Sequence, residues 1–296
     1  MSKRILVTGA TGFLGGGVAR IAAAAGWKVA ALVRPQSLAQ TPQEALVISG
    51  SLESPDWKAI EDFRPEVCVH CAWEVSPGHY NHSSRNDSLA KATIAFASEL
   101  YKRGLRKFIG FGSCAEYESS SEALEENAPR RKHPDPYTEA KLKALDAIQE
   151  CAPSPSAFAW MRVFYAYGPG EPLGKFISST MQAFAKGETV TLMRAFDIVD
   201  YIHCSDVASA AICLAASNEG GIFNAGSGHP LSVRQVADAI RNVCGRGIIT
   251  EMPQNEQSSR FANIQRLGNL GWVPRCRLQD GLAEMWMHQA LFNPQG

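Results

Sequence analysis

The stretch VTGATGFLG, Val7 to Gly15, places Gly9, Gly12 and Gly15 three residues apart between two segments of different character. Ahead of it, RILVTG (4–9) is a short apolar run that reads as a strand; behind it, FLGGGVARIAAAAG (13–26) is small and helix-compatible and stops on Gly26. Glycines at this spacing mean little alone. Between a strand and a helix they let the backbone close up to a pyrophosphate at the helix N-terminus, where unpaired N–H groups are available. The junction reads as the phosphate loop of a dinucleotide site.

Working outward, WKVAALV (27–33), ALVIS (45–49), VCVHCA (67–72), KFIGFG (107–112) and AFAWMRVF (157–164) are further strand-like runs, with helical patterns over 87–103 and 137–150. Strands alternating with helices predict an α/β fold, a Rossmann-type doubly wound parallel sheet. After YGPGEP (167–172) the pattern loosens. The expected division is a nucleotide-binding Rossmann domain over 1–165 and a smaller substrate-binding lobe over 166–296, with residues near 198–225 returning to the first domain. At the end of the second strand an NAD site usually presents a carboxylate to the adenosine ribose. This chain has Val33 followed by Arg34, and a guanidinium suits a 2′-phosphate, so NADP(H) is the expected cofactor.

Composition narrows the classes. The 296 residues are 45% hydrophobic and 20% charged, and 29 basic residues balance 29 acidic ones. That balance gives no polyanion-binding surface, so no nucleic acid partner is expected. No apolar run reaches the roughly 18 residues of a membrane helix. The eight cysteines lie mostly in apolar segments, and the start of the chain has no leader-like pattern, which points to a reducing cytoplasm. CVHC (68–71) has redox-motif spacing, but residues three apart on a strand face opposite ways, so it is not read as a metal or redox site.

PYTEAK (136–141) sets Tyr137 four residues before Lys141, on one face of a helix that Pro136 can start. With VTGATGFLG, GSCAEY (112–117), RVFYAYGPG (162–170), DYIHCSDVASA (200–210), FNAGSG (223–228) and LGNLGWVP (267–274), the chain resembles, nearly end to end, the extended short-chain dehydrogenase/reductase superfamily in its nucleotide-sugar epimerase, dehydratase and reductase branch. The resemblance implies a catalytic triad of Ser113, Tyr137 and Lys141. It implies cofactor contacts from Gly9, Thr11, Gly12, Phe13, Leu14, Gly15, Arg34, Ser51, Leu52, Cys71 and Ala72, besides Tyr137 and Lys141. The substrate is then a nucleotide-diphosphate sugar, and a homodimer through helices flanking the tyrosine helix is compatible. Reduction of a ketone builds negative charge on its oxygen. Tyr137 would supply the proton, Ser113 would hold the oxygen, and the Lys141 ammonium would favour the phenolate and take the nicotinamide ribose.

Departures from the family pattern select the branch. Dehydratases follow the serine or threonine with Asp-Glu; here Cys114 and Ala115 stand there, which argues against dehydration. The cysteine of the enzymes that make GDP-fucose falls one position later, so Cys114 reads first as a small core residue and second as a substrate contact. Glu116 has no assignable role. Tyr165, in place of an asparagine common in epimerases, favours a reductase of nucleotide-linked 4-keto-6-deoxysugars, with epimerisation as the alternative and a non-catalytic NADP-binding regulator as the reading from another class. The loop EVSPGHYNHSSRN (74–86) follows the fourth strand at the ligand crevice. It offers His79, Tyr80 and His82, each a candidate second acid/base for epimerisation, with the solvated or substrate-contacting reading set against it; His79 is taken as a substrate contact along with Trp73. Leu89 aligns with an asparagine of many relatives, with Asn86 nearby. In the lobe, Val199 replaces the arginine of the usual phosphate clamp, so Arg194 and Arg260 are the expected substitutes. Asp206 is read as capping the following helix, His203 as structural, and Asn224 as part of a turn.

Overall fold

A computed structural model describes residues 3–76 and 78–292. Six strands follow in chain order: β1 (Arg4–Thr8), β2 (Lys28–Val33), β3 (Ala45–Ser49), β4 (Val67–His70), β5 (Lys107–Ser113) and β6 (Phe158–Val163). With a seventh at Gly221–Ala225 they form one sheet in the order Gly221–Ala225, β6, β5, β4, β1, β2, β3, and every pairing is parallel. The order reverses direction at β1 and β4, so the carboxyl ends of those strands open the crevice where ligands bind in such sheets. The expected Rossmann-type doubly wound sheet is present, with β4 stopping at His70 and leaving Cys71 and Ala72 as the crevice wall.

Both faces of the sheet are buried along its central strands, as a parallel sheet requires, while the edge strand β3 leaves Leu46 and Val47 exposed. One core packs Ile5, Val7, Val29, Val69 and Met161 under helices α1 (Phe13–Ala24) and α6 (Cys204–Ala216). The other packs Leu6, Leu32, Cys68, Phe108 and Trp160 under α3 (Arg85–Lys102) and α4 (Pro136–Cys151), with the short α2 (Trp57–Phe63), unforeseen in the sequence, between β3 and β4. Cys68 belongs to the second core and Cys71 packs against the first, so the CVHC thiols face opposite ways. All eight cysteines are free thiols, and among the described residues no acidic, histidine and cysteine side chains cluster as a metal site. No described helix is long and apolar enough to cross a membrane.

The C-terminal part builds its own core from α5 (Phe176–Ala185), α7 (Val233–Cys244) and the helix Leu278–Phe292, through Tyr167, Phe184, Val236, Ile240 and Leu282. Short pairings knit it together: Thr189–Leu192 with Ile248–Glu251, and Ile198–Val199 between Leu231–Ser232 and Ser259–Arg260. Asp206 and Asn224 take other roles than their sequence context suggests. Asp206 does not cap α6; His203 does, its ring accepting from the Ser205 N–H, while the Asp206 carboxylate accepts the Arg275 and Cys276 amides at 3.0 Å each and pins the C-terminal segment. Asn224 lies in the seventh strand rather than in a turn, fully buried, with its side-chain amide donating to the Leu124 and Asn263 carbonyls.

Candidate active site

The phosphate loop is shaped by what a Cβ would strike. Gly9 sits at φ +68°, where a side chain would lie 2.8 Å from the Ala72 nitrogen, and a Cβ on Gly15 would lie 2.2 Å from the Gly9 carbonyl oxygen. Only glycine lets the loop, the first turn of α1 and the end of β4 come this close. Gly12 is the N-cap of α1 and brings no side-chain cap, so the helix N-terminus keeps N–H groups for a pyrophosphate. A cavity of about 490 Å³ opens against this turn, lined by Thr11, Gly12 and Phe13, by Arg20 and by the segment Ala39–Glu44. The cradle fits a dinucleotide. Arg20 escaped the sequence reading, although it is the one charged residue of α1.

At the crevice floor, the Thr8 hydroxyl and the His70 ring meet at 2.9 Å, the other ring nitrogen lies 3.2 Å from the Thr93 hydroxyl, and the Ala72 N–H donates to Thr8 Oγ1. Burial, then the nearby Lys141 ammonium, drop the His70 pKa to about 3, so this histidine is a neutral brace. Arg34 is exposed just past buried Val33. Ser51 spends its hydroxyl oxygen on the Ser54 N–H, and Leu52 packs against the second core.

Asp135 caps α4, accepting the Thr138 N–H at 2.9 Å, and Pro136 opens its first turn, which fixes Tyr137 at the helix entrance. One turn on, Lys141 is 4% exposed, donates to the Phe111 carbonyl at 2.7 Å and lies 3.7 Å from the centre of the Trp73 ring. Burial lowers its pKa to about 7, opposed by the charge of Glu116. Burial likewise drives the Tyr137 phenol upward, so by itself the protein keeps Tyr137 as an acid. Ser113 ends β5 and its hydroxyl oxygen accepts the Ala115 N–H at 3.1 Å, which leaves the O–H free to donate outward. Glu116 is fully buried, and its carboxylate accepts the Ser113 amide at 2.9 Å, the Trp160 indole at 3.1 Å and Arg162 Nε at 2.7 Å.

The loop after β4 closes the site with aromatic rings. His79 and His82 are exposed, whereas the Tyr80 ring meets Tyr137 edge-on at 4.9 Å and carries the Lys175 ammonium 5.2 Å from its centre. Trp73 meets Tyr137 edge-on from 6.2 Å. Buried Asn86 ties the two aromatic residues, accepting from the Trp73 indole at 3.1 Å and donating to the Tyr80 carbonyl at 2.6 Å. Leu89 is buried in α3. Tyr80 and Lys175 are therefore site residues that the expected set omitted. Tyr80 had a signal, as a large aromatic in a crevice loop; Lys175 had none, because the fold brings it from about a hundred residues away.

The lobe separates the two expected cations. Arg194 is about half exposed and committed to Asp197 and the Glu256 carbonyl. Arg260 stands in register with Val199, beside Tyr165 and near Cys114, and its buried Nε has no hydrogen-bond partner. The Tyr165 ring lies 5.5 Å from that of Tyr201, and burial raises its phenol. Cys114 packs with Tyr117, Leu124 and Phe164, and burial raises its thiol to about 12, so it is neutral. Asp200, next to Val199, is also spoken for: it accepts from the amides of Ser227, Gly228 and Ala262.

Comparison with known proteins agrees with this geometry. The profile of the NAD dependent epimerase/dehydratase family matches residues 5–226. A dTDP-L-rhamnose 4-epimerase of Burkholderia thailandensis is 24% identical over 98% of this chain and 96% of its own. A dTDP-6-deoxy-L-talose 4-dehydrogenase (NAD(P)(+)) of Kitasatospora kifunensis is 24% identical over 97% of this chain and 96% of its own. Among solved structures, the UDP-glucose 4-epimerase of Thermus thermophilus in complex with NAD superposes with a TM-score of 0.80 at 23% identity, over 96% of this chain and 98% of that one, which shows the shared fold.

Proposed function

The chain belongs to the NAD dependent epimerase/dehydratase family, and from that premise we propose that it reduces the keto group of a nucleotide-diphosphate-linked 4-keto-6-deoxysugar with NADPH. One observation carries the reading: Tyr137 and Lys141 are buried together at the crevice with Ser113 at its β5 edge, and the groups that could work on a neighbouring carbon are absent or spent. Ala115 has no acid, the Cys114 thiol is neutral and buried, and His79 and His82 are exposed. Tyr80, edge-on to Tyr137, is held neutral as burial raises its phenol, so the proposed chemistry centres on one carbon and its oxygen.

The nicotinamide, when bound, supplies the hydride. The chain's own residues handle the oxygen: Ser113 donates a hydrogen bond from the O–H that its turn leaves unused, and Tyr137 transfers its phenolic proton as charge builds. Lys141, as ammonium, stabilises the phenolate left behind. Trp73 and Tyr80 cover the pair and exclude water, which strengthens each of these interactions. Arg260, with its unpartnered Nε, is the residue to hold the diphosphate in place of the arginine missing at Val199.

Arg34 supports NADPH over NADH, with Arg20 as a second cation at the phosphate turn. Epimerisation at the same carbon is the second reading, favoured by the Burkholderia relative's name; return of hydride to the opposite face needs the same three side chains. The test is to mix the protein with NADPH or NADH and 4-keto-6-deoxy sugars on dTDP, CDP, GDP and UDP, and to follow the absorbance of reduced cofactor. Consumption of NADPH with one sugar, weakened by Arg34→Ala while any NADH rate is unchanged, is the expected result. Isomerised sugar without net cofactor consumption replaces the reductase by the epimerase.

A further inference from the structure

Glu116 does no chemistry in this scheme, yet it is a fully buried carboxylate one turn from the triad serine. We propose that Glu116 is a positioning residue that aims the Ser113 hydroxyl, held for that purpose by Arg162 and Trp160 of β6; the proposal rests on the hydride-transfer reading above.

Three observations converge on it. The Cys114–Glu116 turn is closed from both ends, because the Ser113 N–H donates to Glu116 Oε1 and the Ala115 N–H donates to Ser113 Oγ. Ser113 thus has its backbone and its hydroxyl lone pair fixed by one short turn, and only the O–H remains to be used. The carboxylate cannot drift: Arg162 Nε and the Trp160 indole hold it, and Arg162, 1% exposed, spreads over the Tyr117 ring at 4.1 Å and donates to the Glu126 carbonyl. Tyr117 in turn donates to Asn224 at 2.7 Å, so the seventh strand is tied into the same hub. Finally, a Cβ on Gly112 would lie 2.1 Å from the Trp160 indole nitrogen and 2.4 Å from Glu116 Oε1, so the β5 backbone gives up a side chain to make room for this pair.

Stability does not account for the arrangement. A buried ion pair is often no more stabilising than apolar residues of equal volume, because desolvation offsets the attraction. What apolar residues cannot supply is an acceptor for the Ser113 amide. The charge also bears on the other two triad members, since it favours the ammonium of Lys141 and the neutral phenol of Tyr137.

The experiment compares wild type with Glu116→Gln, which strands the Arg162 charge, and with Glu116→Leu/Arg162→Met, which removes both charges and refills the space. Melting temperature, NADPH affinity by fluorescence, the rate of NADPH oxidation with dTDP-4-keto-6-deoxyglucose as probe, and the Ser113 rotamer in crystals are recorded for each. Glu116→Gln is expected to melt lowest. The double variant is expected to regain the melting temperature and bind NADPH as wild type does, while kcat stays down about 100-fold and Ser113 Oγ leaves the Ala115 amide. A double variant that keeps the wild-type rate or the wild-type Ser113 geometry overturns the proposal; if it does not fold, the same two readouts on Glu116→Gln decide. A Ser113→Ala variant with full activity likewise overturns it, because an aimed hydroxyl would then have no effect; a wild-type protein that ignores every sugar of the panel instead sinks the hydride-transfer reading and leaves the crystallographic outcome to judge the aiming of Ser113.

Discussion

The carboxyl edge of the sheet and the surface of the lobe treat charge in opposite ways. At the carboxyl edge of the sheet Lys141, Glu116, Arg162 and His70 are at most 4% exposed, each held by a hydrogen bond. In the lobe most ionic groups sit at the surface in short local pairs, such as Arg194 with Asp197 and Arg234 with Asp238. Buried groups interact strongly and shift their pKa values, whereas exposed pairs contribute about 0–1 kcal/mol each. In the proposed reading the sheet edge carries the chemistry and the lobe the recognition; the lobe's buried carboxylates, Asp200 and Asp206, are spent on backbone amides, whereas Arg260 keeps a buried Nε without a hydrogen-bond partner.

Four substitutions test this contrast. The largest effect is expected from Gly15→Val, whose Cβ would stand 2.2 Å from the Gly9 carbonyl oxygen: the loop must open, and NADPH affinity measured by fluorescence should fall at least ~100-fold, given that pyrophosphate contact depends on close backbone approach. Retained affinity would remove the loop from the cofactor site. Next, Arg260→Ala should raise the KM for the sugar nucleotide about 10- to 100-fold, as expected for loss of a charge-assisted contact of roughly 1.5–3 kcal/mol, with NADPH binding unchanged. An unchanged KM would leave the lobe without its anchor.

Lys141 yields a pH test. Its folded pKa, about 7, lies below the ordinary lysine value of 10.5, so between those values the unfolded chain binds more protons than the folded one. Stability from this group must therefore rise as pH climbs from about 7 to 10.5. Melting curves of Lys141→Met should rise less steeply with pH than those of wild type over that window; parallel curves would mean that burial does not lower the Lys141 pKa. The smallest effect is expected at Arg194→Ala, which should change KM and kcat by less than about twofold, because exposed pairs are weak. A tenfold change would bring Arg194 back into the site and dissolve the contrast between the two lobe arginines.

The same contrast explains how far the sequence can be read. Strands β1 to β6 and the phosphate loop are legible because a parallel sheet buries continuous apolar runs and the loop's glycines are adjacent in the chain. The proposed triad can be picked out because Tyr137 and Lys141 share one helix face and Ser113 ends a strand. Short α2 is not legible because Trp57–Phe63 is too brief to show helical periodicity. Glu116 looks idle in the sequence because its partners, Trp160 and Arg162, lie 44 and 46 residues away. Arg194 and Arg260 look alike because nothing local shows that one is committed to Asp197 while the other is set in register with Val199 by strand pairing.

The most direct measurement is the rate of NADPH oxidation by Tyr137→Phe with the sugar that the wild type reduces, alongside NADPH affinity. The account predicts a fall in kcat of about 100- to 10,000-fold, the usual reach of a positioned general acid, with cofactor affinity largely intact. A variant that binds NADPH and turns over at the wild-type rate would contradict the central claim that Tyr137 gives its proton to the substrate oxygen.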